Sequence, residues 1–145
     1  MAPNMTEVLE RKLGFLNRYI TDLGAYAGQD EAARLREHYT IERLLQLLCE
    51  SAADIALQFL KQDEETLPAS YREIFGRLAA KGSMPEPLAK ELIAACGMRN
   101  VLTHLYDEID LGRVTAAVEP AVRLYTAFRD WSLNRLAGPK SNTPG

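Results

Sequence analysis

Apolar residues recur at intervals of three and four along most of the chain, which is the spacing of one face of a helix. The first such stripe comprises Leu9, Leu13, Leu16, Ile20 and Leu23. It predicts a helix from about Met5 to Ala27. Asn4 and Glu7 fit a helix-start signal, and Gly28 fits a helix end.

Four further stripes predict four more helices, one of them short. Their expected bounds are Glu31–Gln62, Ser70–Lys81, Ser83–Asp110 and Leu111–Leu136. The first would be roughly 45–50 Å long, so we expect one end to project or to pack on another subunit. Pro120 predicts a kink or a break in the last.

No segment alternates between apolar and polar residues in the manner of a strand. The predicted fold class is therefore all-α, an antiparallel up-and-down bundle of four main helices plus a short one. We expect one helical domain over residues 1–137 and a flexible C-terminal tail over residues 138–145.

Composition fits this interpretation. The 145 residues are 47% hydrophobic and 26% charged, as in one soluble domain. The net charge of -3 argues against indiscriminate coating of nucleic acid but leaves room for a local basic patch.

No apolar run is long enough to span a membrane, and no signal-peptide core is seen. The spacing of Cys49 and Cys96 does not indicate a zinc site, and we expect both thiols to be reduced in a cytoplasmic protein.

The densest polar cluster is the stretch from Arg99 to Tyr106, which also holds Asn100 and His104. The stripe of this helix is Leu88, Leu92, Ala95, Arg99, Leu102 and Tyr106. Arg99 therefore occupies a position that the pattern reserves for an apolar residue. A charge there must be paired, or must lie in a cavity or an interface.

Helical geometry divides the cluster between two adjoining faces. Asn100 and His104 share one face, and Arg99 and Tyr106 share the other. The five-residue step from Arg99 to His104 leaves the two well off one line, so one helix cannot clamp a small ligand between them. A second helix, or a second copy of the chain across a two-fold axis, would complete the pocket.

Arginine and histidine together suit the transesterification of RNA. Histidine moves protons near neutral pH, and arginine stabilises negative charge on a phosphate. In this reaction the ribose 2′-hydroxyl, which DNA lacks, attacks its own phosphodiester. The alternative is structural, with His104 as a hydrogen-bonded helix residue and Arg99 in a buried ion pair with Asp54 or Glu50. Asp54 is either a polar flank of its stripe or a buried acid paired with an arginine.

The run Arg99-Asn100-x-Leu102-x-His104-x-Tyr106, followed by Asp107 and Ile109-Asp110, resembles the signature of the HEPN superfamily and, more narrowly, of the HepT-like toxins. Two other stretches are similar to the same family. One is Leu67-Pro68-x-Ser70-Tyr71-Arg72-x-x-Phe75-x-x-Leu78, and the other is Ile41-Glu42-Arg43-Leu44-Leu45-Gln46 with Asp54 downstream. The likeness spans about Thr6 to Leu136.

This resemblance implies a homodimeric helical toxin whose Arg-x4-His motifs meet at the dimer interface. It implies a metal-independent ribonuclease without a cofactor, in which Arg99 and His104 are catalytic and Asn100 supports them. Asp54 is a further candidate for supporting the site. The implied partner is an MntA-type nucleotidyltransferase antitoxin that attaches AMP to Tyr106. No membrane or DNA partner is implied, and the acidic net charge favours a small, local RNA target such as a transfer RNA end.

Two other functions fit the same residues. One is a non-catalytic helical partner that binds substrates for a minimal nucleotidyltransferase. The other is a purely structural helical dimer, in which replacing Arg99 would mainly lower stability.

Overall fold

The computed structural model describes residues 4–62, 66, 68–104 and 111–138, and for residues 98–104 it describes the backbone alone. Seven helices lie in these ranges. They are α1 (Met5–Gly24), α2 (Glu31–Arg36), α3 (His38–Lys61), α4 (Tyr71–Ala80), α5 (Glu86–His104), α6 (Leu111–Ala116) and α7 (Val118–Leu136). No strand occurs in this part of the chain, which confirms the all-α prediction. The tail beyond Gly138 and the segment 105–110 lie outside the described residues.

The long helices pack around one core. Helix α3 lies at its centre, where it packs against α1, α4, α5 and α7, and α1 also packs along α7. Every residue of the predicted α1 stripe is buried. The stripe predicted for α3 is buried as well, from Ile41 to Phe59.

The second predicted helix is two helices, so the expectation of one continuous helix over Glu31–Gln62 is wrong. The chain leaves helical geometry at Glu37, where φ is -107° and ψ is 22°. The short helix α2 is thereby turned away from the line of α3. The 24 residues of α3 span only about 36 Å, which fits within the bundle.

The expected interruption near Pro120 is present, three residues earlier than the proline itself. The break at Ala117 separates α6 from α7. Pro120 then stands in the first turn of α7, where a missing backbone N–H removes no intrahelical hydrogen bond.

Helix α4 ends at Ala80, one residue before its predicted bound at Lys81. Gly82 has a φ of +75°, a conformation that favours glycine. The backbone N–H groups of Ser83 and Met84 both donate to the Leu78 carbonyl, and this turn leads the chain into α5. Among the described residues, no helix is long and apolar enough to cross a membrane.

Candidate functional site

Helix α5 carries the Arg-x4-His motif in its last two turns. The backbone is helical through Arg99, Asn100 and His104, as the sequence predicts. Five residues of helix separate the backbone of Arg99 from that of His104 by about 7.5 Å along the axis. The side chains of residues 98–104 lie outside the described part of the structure, as does Tyr106, so their mutual contacts stay predictions.

The N-terminal part of α5 is fixed in the core. Ala89, Leu92 and Cys96 are all buried. Arg99 follows Leu92 by seven residues and Cys96 by three, so its backbone position continues the buried register of the helix. The core packing of α5 therefore sets the register at which the motif begins.

Cys96 forms a disulfide with Cys49 of α3, with a Cα–Cα distance of 5.6 Å. The expectation of two reduced thiols is therefore wrong for this structure. The cysteines lie 47 residues apart in sequence, and only the packing of α5 on α3 brings them within bridging distance. The bridge joins α5 to the centre of the bundle three residues before Arg99.

On the other side of the motif, α6 is held by Arg34. Five hydrogen bonds match the five N–H groups of this guanidinium. Its Nε donates to the Tyr26 carbonyl at 3.0 Å, and its Nη2 donates to the Ala27 carbonyl at 2.9 Å. Its Nη1 donates to the Thr115 carbonyl at 2.8 Å and to Glu119 Oε1 at 2.9 Å. The fifth bond runs from Nη2 to the second carboxylate oxygen of Glu119.

We call Arg34, Glu119 and Thr115 the Arg34 clamp. The Thr115 hydroxyl also donates to Glu31 Oε2 at 3.1 Å, which adds a second link between α2 and α6. Hydrogen bonds from Arg34 hold the pKa of Glu119 below its usual range, and the same bonds raise the pKa of Arg34. Both groups are therefore charged at neutral pH, and the C-terminal part of α6 is tied to α2, to α7 and to the turn after α1.

Asp54 is an exposed acid rather than a buried one. Its carboxylate pairs with Lys12 of α1 at 2.5 Å, and 47% of its side-chain surface is exposed. This geometry fits the polar flank and contradicts a buried pair of Asp54 with an arginine. Any support that Asp54 gives to the motif stays a prediction.

A groove of about 470 Å³ runs between α5, α6 and α7. Its α5 wall includes Glu91, Ala94 and Ala95. Arg113 and Arg123 line it from α6 and α7. The sequence pattern does not single out these two arginines, nor the Arg34 clamp, whose members lie 81 and 85 positions apart. The local signal that could have indicated the groove is a pair of arginines on either side of the break before Pro120.

No group of three or more metal-ligating side chains occurs within the described ranges. The functional candidates there are instead the cationic and apolar side chains that line the groove between α5, α6 and α7.

The model of the Ribonuclease HepT-like family matches residues 16–129, which include the whole motif. The chain belongs to this family. It is 28% identical to a tRNA nuclease HepT of Aphanizomenon flos-aquae over 124 residues, covering 83% of this chain and 84% of that protein. It is 26% identical to an mRNA nuclease HepT of Shewanella oneidensis over 130 residues, covering 87% and 96% respectively.

The fold is also that of a solved toxin. A tri-AMPylated HEPN toxin of Shewanella oneidensis, in complex with an MNT antitoxin, matches with a TM-score of 0.75 and 25% identity. The match covers 90% of this chain and 97% of that one. The resemblance to HepT-like toxins inferred from the motif is thereby confirmed.

Proposed function

We propose that this chain is the ribonuclease toxin of a toxin–antitoxin pair, acting in the cytoplasm as a homodimer. The observation that carries the proposal is family membership over a range that contains Arg99, Asn100, His104 and Tyr106. Relatives that match 83% and 87% of this chain are a tRNA nuclease and an mRNA nuclease, so RNA is the substrate class that they support.

In the proposed reaction the ribose 2′-hydroxyl attacks the adjacent phosphorus and expels the 5′-oxygen of the next nucleotide. His104 takes part in the proton transfer, and Arg99 stabilises the charge that gathers on the phosphoryl oxygens. Asn100 orients His104 or binds a phosphate oxygen. The products are a 2′,3′-cyclic phosphate and a 5′-hydroxyl, and no metal ion is needed.

Two copies of the motif complete the site in this proposal. The five-residue step between Arg99 and His104 places them off one line of α5, so a partner helix across a two-fold axis supplies the opposite wall. The dimer is thus required for catalysis.

The proposed partner is a nucleotidyltransferase antitoxin, as in the solved complex of the Shewanella toxin. It uses ATP to join AMP to Tyr106: the tyrosine oxygen bonds to the α-phosphorus, and pyrophosphate leaves. The added phosphate is an anion two residues beyond His104, so it competes with RNA phosphate for Arg99.

Cleavage of total bacterial RNA by the purified chain in excess chelator tests the proposal. His104→Ala and Arg99→Ala are each expected to lower the rate at least about 100-fold, because a proton carrier or a charge stabiliser is lost. His38→Ala is the matched control, since His38 lies on α3 and pairs with Glu42. We expect the cut ends to carry a 2′,3′-cyclic phosphate.

Cutting that stops when metal is chelated, or that survives in His104→Ala, contradicts the mechanism. Tight binding to the antitoxin without cleavage or growth arrest would instead favour the non-catalytic binding partner. Mass analysis after incubation with antitoxin and ATP is expected to place AMP on Tyr106, and Tyr106→Phe is expected to remove it.

A further inference from the structure

The groove between α5, α6 and α7 has a floor of small and apolar side chains. Lining residues include Ala94, Ala95, Ala117, Pro120 and Ala121. Its volume of about 470 Å³ lies within the range of ligand-binding clefts. Small side chains allow an extended chain to approach the helix backbones closely.

Two exposed arginines give the groove its charge. Arg113 stands on α6 and Arg123 on α7, and Glu91 is the one acidic residue among the described residues that line it. The nearby carboxylate of Glu119 is already bonded to Arg34. The described lining of the groove therefore carries two cationic side chains and one anionic side chain, in a chain whose net charge is -3.

The groove also points along α5 towards the motif. Arg99 follows the lining residue Ala95 by four positions, which is about one helical turn. The next turn of the same wall is thus the turn on which the Arg-x4-His motif begins. A chain that lies in the groove and continues along α5 reaches the proposed scissile position.

We propose that this groove binds the sugar–phosphate backbone of the RNA next to the cut site, with Arg113 and Arg123 each contacting a phosphate. The inference rests on the proposed ribonuclease function. Guanidinium groups pair with phosphate through two parallel hydrogen bonds, which a flat alanine-rich wall leaves accessible. Such contacts hold the strand in register but read little sequence.

Binding without cleavage gives the first test, which is independent of catalysis. His104→Ala protein is titrated with a short fluorescent single-stranded oligoribonucleotide of mixed sequence at several salt concentrations. Adding Arg123→Gln or Arg113→Gln is expected to weaken binding about three- to tenfold, and to reduce the slope of log affinity against log salt by about 0.7 for each lost phosphate contact. Arg18→Gln, an exposed arginine of α1, is the charge-matched control and is expected to leave the slope unchanged.

A second pair of variants avoids any contact that Arg113 makes within the fold. Ala94 is an exposed groove residue on α5. Ala94→Glu and Ala94→Gln add side chains of nearly the same shape, and only glutamate adds a negative charge. Ala94→Glu is therefore expected to weaken RNA binding more than Ala94→Gln does, because it also repels phosphate. In the otherwise unchanged enzyme, Arg123→Gln is expected to raise KM several-fold and to leave kcat within about twofold. The reason is that the lost phosphate contact stabilises the bound substrate and the transition state equally.

Equal affinity and equal salt slope in Arg113→Gln, Arg123→Gln and Arg18→Gln overturn the inference. A loss of dimer in Ala94→Glu, measured by analytical ultracentrifugation, also overturns it, because the groove is then covered by a second copy of the chain. If the unmodified chain binds RNA through the groove but does not cut it, the proposed nuclease fails while the groove inference stands.

Discussion

The two helices that flank segment 105–110 are held in the fold by different kinds of interaction. Helix α5 is joined to α3 by the covalent Cys49–Cys96 bridge. Helix α6 is held by the Arg34 clamp, which consists of hydrogen bonds and one ion pair. The disulfide responds to reductant, and the Arg34 clamp responds to pH. The attachments of α5 and of α6 can therefore be weakened separately.

Opening the disulfide is expected to have the largest effect on stability. By loop-closure entropy, a bridge across 47 residues contributes about 3–4 kcal/mol. Reduction, or the double change Cys49→Ala with Cys96→Ala, is expected to lower the free energy of unfolding by about that amount, measured by urea denaturation. Reductant added to the double variant is the control and is expected to change nothing. Equal stability with and without reductant, with both thiols open to alkylation, would mean that the bridge does not form in solution.

Removing the clamp cation is the next largest change. Arg34→Met removes the donors that Arg34 supplies to the carbonyls of Ala27 and Thr115 and to the carboxylate of Glu119, and Thr115 is 1% exposed. The Tyr26 carbonyl still accepts from the backbone N–H of Gln29 at 3.1 Å. We expect a loss of about 2–3 kcal/mol in the free energy of unfolding, since each unsatisfied buried group costs about 1 kcal/mol. Arg36→Met, an exposed neighbour on α2, is the matched control. If Arg34→Met lowers the free energy of unfolding no more than Arg36→Met does, the Arg34 clamp contributes nothing to stability.

The smallest effect concerns pH. Arg34 lowers the pKa of Glu119 in the folded chain, so the ionised form stabilises the fold above the carboxyl's unfolded pKa and loses that contribution as pH falls through the lower folded pKa. Glu119→Gln is therefore expected to have a lower melting temperature than the parent at pH 7. This difference in melting temperature is expected to close as the pH drops below about 4. Thermal melts over this pH range measure the gap. A gap that stays constant with pH would show that shape, not charge, links Glu119 to Arg34.

Sequence alone predicted what depends on local periodicity. The α1 and α3 stripes are buried as expected, and α4 ends one residue before its predicted bound at Lys81. The break at Glu37 was missed because neither a glycine nor a proline marks it. The buried residue of α2 is Arg34, and its partners Thr115 and Glu119 are remote in sequence. Periodicity reports which face is buried but not where a helix changes direction.

The candidate site divides in the same way. The Arg-x4-His motif is contiguous in sequence and was found from it. Arg34 reaches Glu119 across 85 positions, and Cys49 reaches Cys96 across 47. Neither pair has a local signature, because only the tertiary packing selects the partner among many arginines, acids and thiols.

The disulfide also changes what a break in the chain would do. Helix α4 and the turn at Lys81–Ser83 lie between Cys49 and Cys96, inside the ring that the bridge closes. A protease that cuts after Lys81 therefore opens a ring instead of releasing a fragment. The oxidised, nicked protein would keep both pieces on one covalent molecule, and they would part on a denaturing gel only after reduction.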